Sequence, residues 1–155
     1  MNKSIVLGIG NEILTDDGIG PKVVNKLKKY YPIDGVEYEN MTLGGLEVLE
    51  YIQDYDTVIF VDAIKTAKGI PGSVYLYTPK NFKETLHLSN LHDISFLSAL
   101  KLGKKVGLKI PETILIFAVE IVEDLIFNED FTPPIKKRFP EIILEIKNRI
   151  DEILN

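Results

Sequence analysis

The run Thr57-Val58-Ile59-Phe60-Val61 is β-branched and aromatic without a polar break, and it ends on an acid, Asp62. A strand with one wet face alternates apolar and polar side chains, whereas a strand covered on both faces is apolar throughout. The run is therefore read as a central strand, which calls for a parallel sheet with helices above and below. Residues 5–7 and 113–119 have the same character. Between these runs the apolar positions take helical spacing. They are Val23, Val24, Leu27, Tyr30 and Tyr31; then Leu46, Val48, Leu49 and Ile52; then Ile94, Phe96, Leu97 and Leu100. A last stripe runs through Ile135, Phe139, Ile142, Ile143, Ile146, Ile150 and Ile153. With shorter strands expected at Val36–Met41 and at residues 73–78, strands and helices alternate along the chain. That order predicts an α/β fold, a three-layer αβα sandwich around a mostly parallel twisted sheet of about five strands. Pro140 falls inside the last stripe, where its ring meets the carbonyl four residues back, so a kink or break is expected there.

A chain of 155 residues that is 45% apolar fits a single domain, residues 1–155, with its own core. Its 23 acidic and 18 basic residues give a net charge of −5, and the basic residues are scattered. A nucleic-acid partner is not expected, because a binding face needs clustered Lys and Arg. No apolar run approaches the roughly 20 residues that span a bilayer. Residues 5–7 run straight into glycine instead of forming the apolar core of a signal segment, and a cytoplasmic location is expected. With no cysteine, disulfides, thiolate metal sites and a Cys nucleophile are excluded, and any metal must be held by Asp, Glu or His.

Open α/β sheets bind ligands in the crevice beyond the carboxyl ends of their strands. The first strand passes into Gly8-Ile9-Gly10-Asn11-Glu12-Ile13-Leu14-Thr15-Asp16-Asp17-Gly18-Ile19-Gly20, a turn that carries two adjacent acids. The third strand delivers Asp62 to the same edge, and His92 lies in the loop before the next helix. An acid of the Asp16-Asp17 pair, Asp62 and His92 form a ligand set that suits a divalent ion such as nickel or zinc and leaves positions open for water or substrate. Structural roles compete with this reading. Asp16 reads first as a helix N-cap, and Asp17 has the same option. Asp62 is equally a loop starter, and His87 a solvated or half-buried loop residue. Glu120, Glu123, Asp124, Glu129 and Asp130 read as a solvated loop. The Gly8-Ile9-Gly10 segment is no dinucleotide fingerprint, because Ile13 stands at the third glycine position.

The chain resembles the maturation endopeptidases of nickel-iron hydrogenases. The likeness is carried by Gly8-Ile9-Gly10-Asn11 with Leu14-Thr15-Asp16-Asp17-Gly18-Ile19-Gly20, and by Gly44-Gly45-Leu46-Glu47. It continues with Val61-Asp62-Ala63-Ile64, Pro71-Gly72-Ser73 and Leu91-His92-Asp93-Ile94-Ser95-Phe96. It implies a protease that removes the C-terminal extension of a hydrogenase large-subunit precursor once nickel is inserted. Carried over by motif, the metal-contacting acid falls on Asp17, the second carboxylate on Asp62 and the histidine on His92. The nickel is expected to arrive with the substrate. Asp16 or Asp17 would orient the attacking water, and Gly44 and Gly45 would let substrate backbone approach closely. Where many relatives carry Asp-Gly-Gly, this chain has Asn40-Met41-Thr42. The amide of Asn40 cannot act as a base, which weakens an aspartyl protease mechanism built on paired acids. Two other readings stay open: a self-contained metal-dependent hydrolase of small peptides or amides, and a non-catalytic, metal-sensing binding module for a hydrogenase subunit. A monomer is expected.

Overall fold

The computed structural model describes residues 2–42, 46–81, 85–88 and 96–154. Five strands, β1 (Ser4–Ile9), β2 (Val36–Met41), β3 (Thr57–Ile64), β4 (Val74–Tyr77) and β5 (Thr113–Glu120), form one sheet in the order β2-β1-β3-β5-β4. All neighbours are parallel except β4, which runs antiparallel to β5 on the edge. The helices are α1 (Ile19–Tyr30), α2 (Leu46–Ile52), α3 (Phe96–Lys105) and α4 (Pro133–Leu154), and a single 3-10 turn, Thr15–Gly18, precedes α1.

The unbroken apolarity of β1 and β3 has the expected cause, since every residue of both strands is buried. Successive side chains point to opposite faces. Ile5, Leu7, Phe60 and Ile116 therefore pack against Val48, Leu49 and Ile52 of α2 and Phe96 and Ala99 of α3. Val6, Ile59, Val61 and Phe117 pack on the other face against Val23, Val24 and Leu27 of α1 and Ile142 and Ile146 of α4. This is the three-layer sandwich read from the pattern. The chain leaves β1 for β2 on one side and returns to β3 on the other, so the strand order reverses between the carboxyl ends of β1 and β3. Such a switch point opens a crevice.

Of the kink or break expected at Pro140, the break does not occur: helix α4 runs through the residue. The carbonyl deprived of its partner belongs to Lys136, and both Lys136 and Pro140 are exposed, so solvent can satisfy what the missing N–H leaves open. Among the described residues, no helix is long and apolar enough to cross a membrane.

Candidate active site

The turn after β1 is folded tightly onto the sheet edge, and two glycines make this possible. Gly10 has φ +151°, and a Cβ there would lie 2.1 Å from the Asp17 carbonyl oxygen. At Gly20 a Cβ would meet the Val61 carbonyl oxygen of β3 at 2.4 Å. Between them Thr15 holds φ 55°, the one positive φ among the described non-glycine residues. For a β-branched residue this is a real outlier, and such conformations persist only where the surroundings enforce them. Here the Thr15 N–H donates to the Asn128 carbonyl at 2.9 Å and its hydroxyl to the Ile126 carbonyl at 2.5 Å.

This turn carries Asp17 to the switch point, where it is 4% exposed. Its Oδ2 accepts the Asn11 N–H at 2.8 Å. Asp62, on β3, is fully buried. Between the two acids stands His87: its Nε2 lies 3.1 Å from Asp17 Oδ1, and its Nδ1 lies 2.6 Å from Asp62 Oδ1. The His87 backbone N–H also donates to Asp62 Oδ2 at 3.0 Å, and the Ala63 N–H to Asp62 Oδ1 at 2.8 Å. A ring that donates from both nitrogens is the imidazolium. Burial by itself pulls the His87 pKa down, but the hydrogen bonds to Asp17 and Asp62, together with their charges, outweigh it and push the value up to about 10.

The structure thus brings Asp17 and Asp62 together as expected. His92, Gly44 and Gly45 lie outside the described residues. The residue missed from sequence is His87, which is half-buried as expected but bonded to both acids instead of being a bystander. Its signal was slight: it is one of two histidines in the chain, in a loop with no motif of its own. Among the described residues, no group of three or more His, Cys, Asp or Glu side chains is placed to hold a metal ion. The carboxylates and imidazole are of the right types for a divalent cation, but they are arranged to bond one another.

Asp16 is a structural acid, though not the helix cap it resembles. It is fully buried and caps neither the 3-10 turn nor α1 with its side chain. Its Oδ2 accepts the N–H groups of Val122 and Glu123, each at 3.1 Å, and the Thr132 hydroxyl at 2.7 Å. Its Oδ1 accepts the Thr132 N–H at 2.8 Å. The carboxylate is a clamp that holds the loop after β5 against the turn. Glu120 likewise departs from the solvated loop expected of it. It ends β5 and is 2% exposed. Its carboxylate accepts the Thr66 N–H and hydroxyl at 2.8 and 2.6 Å and the Tyr75 hydroxyl at 3.0 Å. Asn40 donates from its amide to Asn25 Oδ1 of α1 at 2.8 Å, and Asn25 donates to Glu12 at 3.1 Å. The amide is occupied in fixing α1 to β2.

The family model described as HycI, hydrogenase maturation protease, matches residues 21–149. The chain belongs to the hydrogenase maturation protease family. The hydrogenase 2 maturation protease of Escherichia coli (strain K12) is 33% identical over 102 residues, covering 63% of this chain and 62% of that protein's own length. The coenzyme F420 hydrogenase subunit delta of Methanothermobacter thermautotrophicus is 27% identical, over 96% of this chain and 93% of that one. Among solved structures, the hydrogenase maturating endopeptidase HybD from E. coli superposes with a TM-score of 0.73 at 25% identity, over 97% of this chain and 93% of that one. Members of this family thus share the sheet whose switch point holds Asp17 and Asp62 here.

Proposed function

We propose that this chain is the endopeptidase that removes the C-terminal extension of a nickel-iron hydrogenase large-subunit precursor after nickel insertion, acting in the cytoplasm. The observation that carries this reading is the convergence of Asp17 and Asp62 at the switch point, within a fold and family that include named maturation proteases. The nickel is part of the substrate. Asp17 and Asp62, with His92, are the groups offered to it, so that the precursor docks with its tail across the strand ends. Hydrolysis then needs a base to take a proton from the attacking water and a donor to return one to the leaving nitrogen. Asp16 is unsuited to the first task, because four donors already occupy its two oxygens. Asp17 has fewer partners and stands at the crevice, so it is the carboxylate assigned to orient the water. Gly44 and Gly45 retain the proposed role of admitting substrate backbone.

The test is the intact mass of a large-subunit precursor after incubation with the protein, with and without nickel in the precursor. Loss of a C-terminal peptide only from the nickel-loaded form is the expected result, and an unchanged mass in both forms overturns the reading. A second reading, a non-catalytic binding module for a hydrogenase subunit, draws on two observations. Asn40 stands where many relatives carry an acid, and one full-length relative is named as a hydrogenase subunit. It predicts co-elution with the precursor and no change in mass.

A further inference from the structure

The ring of His87 fills the gap between the two acids that the proposed reaction needs free. Asp17 Oδ2 and Asp62 Oδ2 are taken up by the backbone N–H groups of Asn11 and His87. The remaining oxygens, Asp17 Oδ1 and Asp62 Oδ1, are the two that the ring spans. A first-row divalent cation bound by carboxylates sits about 2.0–2.2 Å from each oxygen, which draws two oxygens closer together than the ring and its two contacts hold these. One ion can therefore contact both acids only after the ring has left and the carboxylates have turned inward. The main chain beside the ring is anchored: the His87 N–H is held by Asp62, and the Leu86 N–H donates to the Ala63 carbonyl at 2.9 Å. The ring can therefore leave by rotation about its own side-chain bonds while its backbone stays on the end of β3.

We propose that His87 is a built-in occupant of the cation position, a side chain that holds Asp17 and Asp62 in place without metal and swings aside when a nickel-bearing precursor is presented. This rests on the reading of the two acids as nickel contacts. Its consequence is selectivity: free divalent ions meet a closed pair of acids, whereas a docked precursor contributes its own binding energy to opening them.

Calorimetric titration of the full chain with Ni²⁺ alone tests the inference without reference to proteolysis. An apparent affinity is reduced by the fraction of molecules in the competent state, so if the ring is out in about a tenth of molecules or fewer, removing it tightens binding about tenfold or more. His87→Ala and His87→Gln should both show this gain. Weaker binding by these variants would make His87 a ligand, and unchanged binding or none would make it a spectator; each result overturns the proposal. Adding Asp17→Asn or Asp62→Asn to His87→Ala should abolish the gain. If the gain survives both, the acids are not the nickel contacts, and the underlying reading fails separately. Should the His87 variants not fold, ¹⁵N signals of the imidazole in the unmutated protein serve instead. Saturating Zn²⁺ should release both carboxylate-bonded ring N–H groups, and an unaltered ring spectrum overturns the proposal.

Discussion

Two neighbouring acids have opposite assignments, and Asp16→Ala tests the division most directly. The substitution removes the acceptor of three backbone N–H groups, from Val122, Glu123 and Thr132, and of the Thr132 hydroxyl. The hydroxyl can rotate toward another acceptor. The three N–H groups are fixed by the backbone and face a fully buried position, and each unpaired buried donor costs about 1–3 kcal/mol. Part of that is recovered because Val122 and Thr132 lie near solvent, which leaves about 3–5 kcal/mol, the usual cost of breaking a buried charged network. With a urea slope of about 2 kcal/mol/M for a domain of this size, the unfolding midpoint should fall by about 1.5–2.5 M with the slope unchanged. Asp16→Asn keeps one acceptor oxygen but turns an amide N–H₂ toward N–H donors, and it should fall between the two. A midpoint drop below about 0.5 M for Asp16→Ala would mean that the loop is held by other means and that the clamp is misread.

The complementary substitution, Asp17→Asn, should abolish precursor processing; because it also removes one of the two carboxylates that hold the His87 imidazolium, it should lower the unfolding free energy at neutral pH by about 1.5–3 kcal/mol, less than Asp16→Ala. A processed precursor would remove Asp17 from the mechanism. Gly20→Ala would place a Cβ 2.4 Å from the Val61 carbonyl oxygen and 2.7 Å from that of Ile9, both backbone atoms. It should cost about 2 kcal/mol or more in urea unfolding, and a neutral effect would contradict the close approach of α1 to β3. In chelator-treated protein the His87 pKa rises from 6.5 to about 10 on folding. Its stabilisation is therefore complete below about pH 6.5 and is lost as pH rises through about 10. The stability gap between the unmutated protein and His87→Gln should shrink across that window, and a gap that widens there would refute the bridged ring.

The layers were legible in the sequence because burial on both faces leaves a direct mark. β1, β3 and β5 are apolar at nearly every position, and β2 is read at Val36–Met41 with its observed bounds. Pro140 does not end the helix, because the rule about proline is local, whereas the exposed position of Lys136 and the apolar stripe of α4 decide the outcome together. Asp17 and Asp62 were legible because strand ends in a parallel sheet converge wherever the strand order reverses. His87 was not, because it lies on an irregular segment after β4, where neither periodicity nor a capping signal says which way a side chain points. Asp16 and Glu120 were misassigned for a related reason: their partners are distant in sequence. Thr132 is 116 residues from Asp16, and Thr66 is 54 from Glu120.

Those distant partners also explain how the turn bearing Asp17 keeps its shape. Thr15 at φ 55° costs about 1–3 kcal/mol relative to a relaxed backbone. The bonds within the turn from the Asn11 N–H to Asp17 Oδ2 and from the Asp17 N–H to the Leu14 carbonyl hold its neighbours, but neither is made by Thr15 itself. The repayment comes from the loop after β5, through the bonds of Thr15 to Ile126 and Asn128 and through the Asp16 clamp at Val122, Glu123 and Thr132. That loop is in turn fixed at one end by β5, which pairs with β3 in register at Asp62 and Ala118. Asp17 and Asp62 are thus tied to each other by two routes, directly through the His87 ring and indirectly through β5 and its loop. The indirect route does not depend on the ring. Moving His87 aside therefore frees Oδ1 of each acid to turn inward without releasing the backbone that positions them, which is what a side-chain gate between preorganised carboxylates requires.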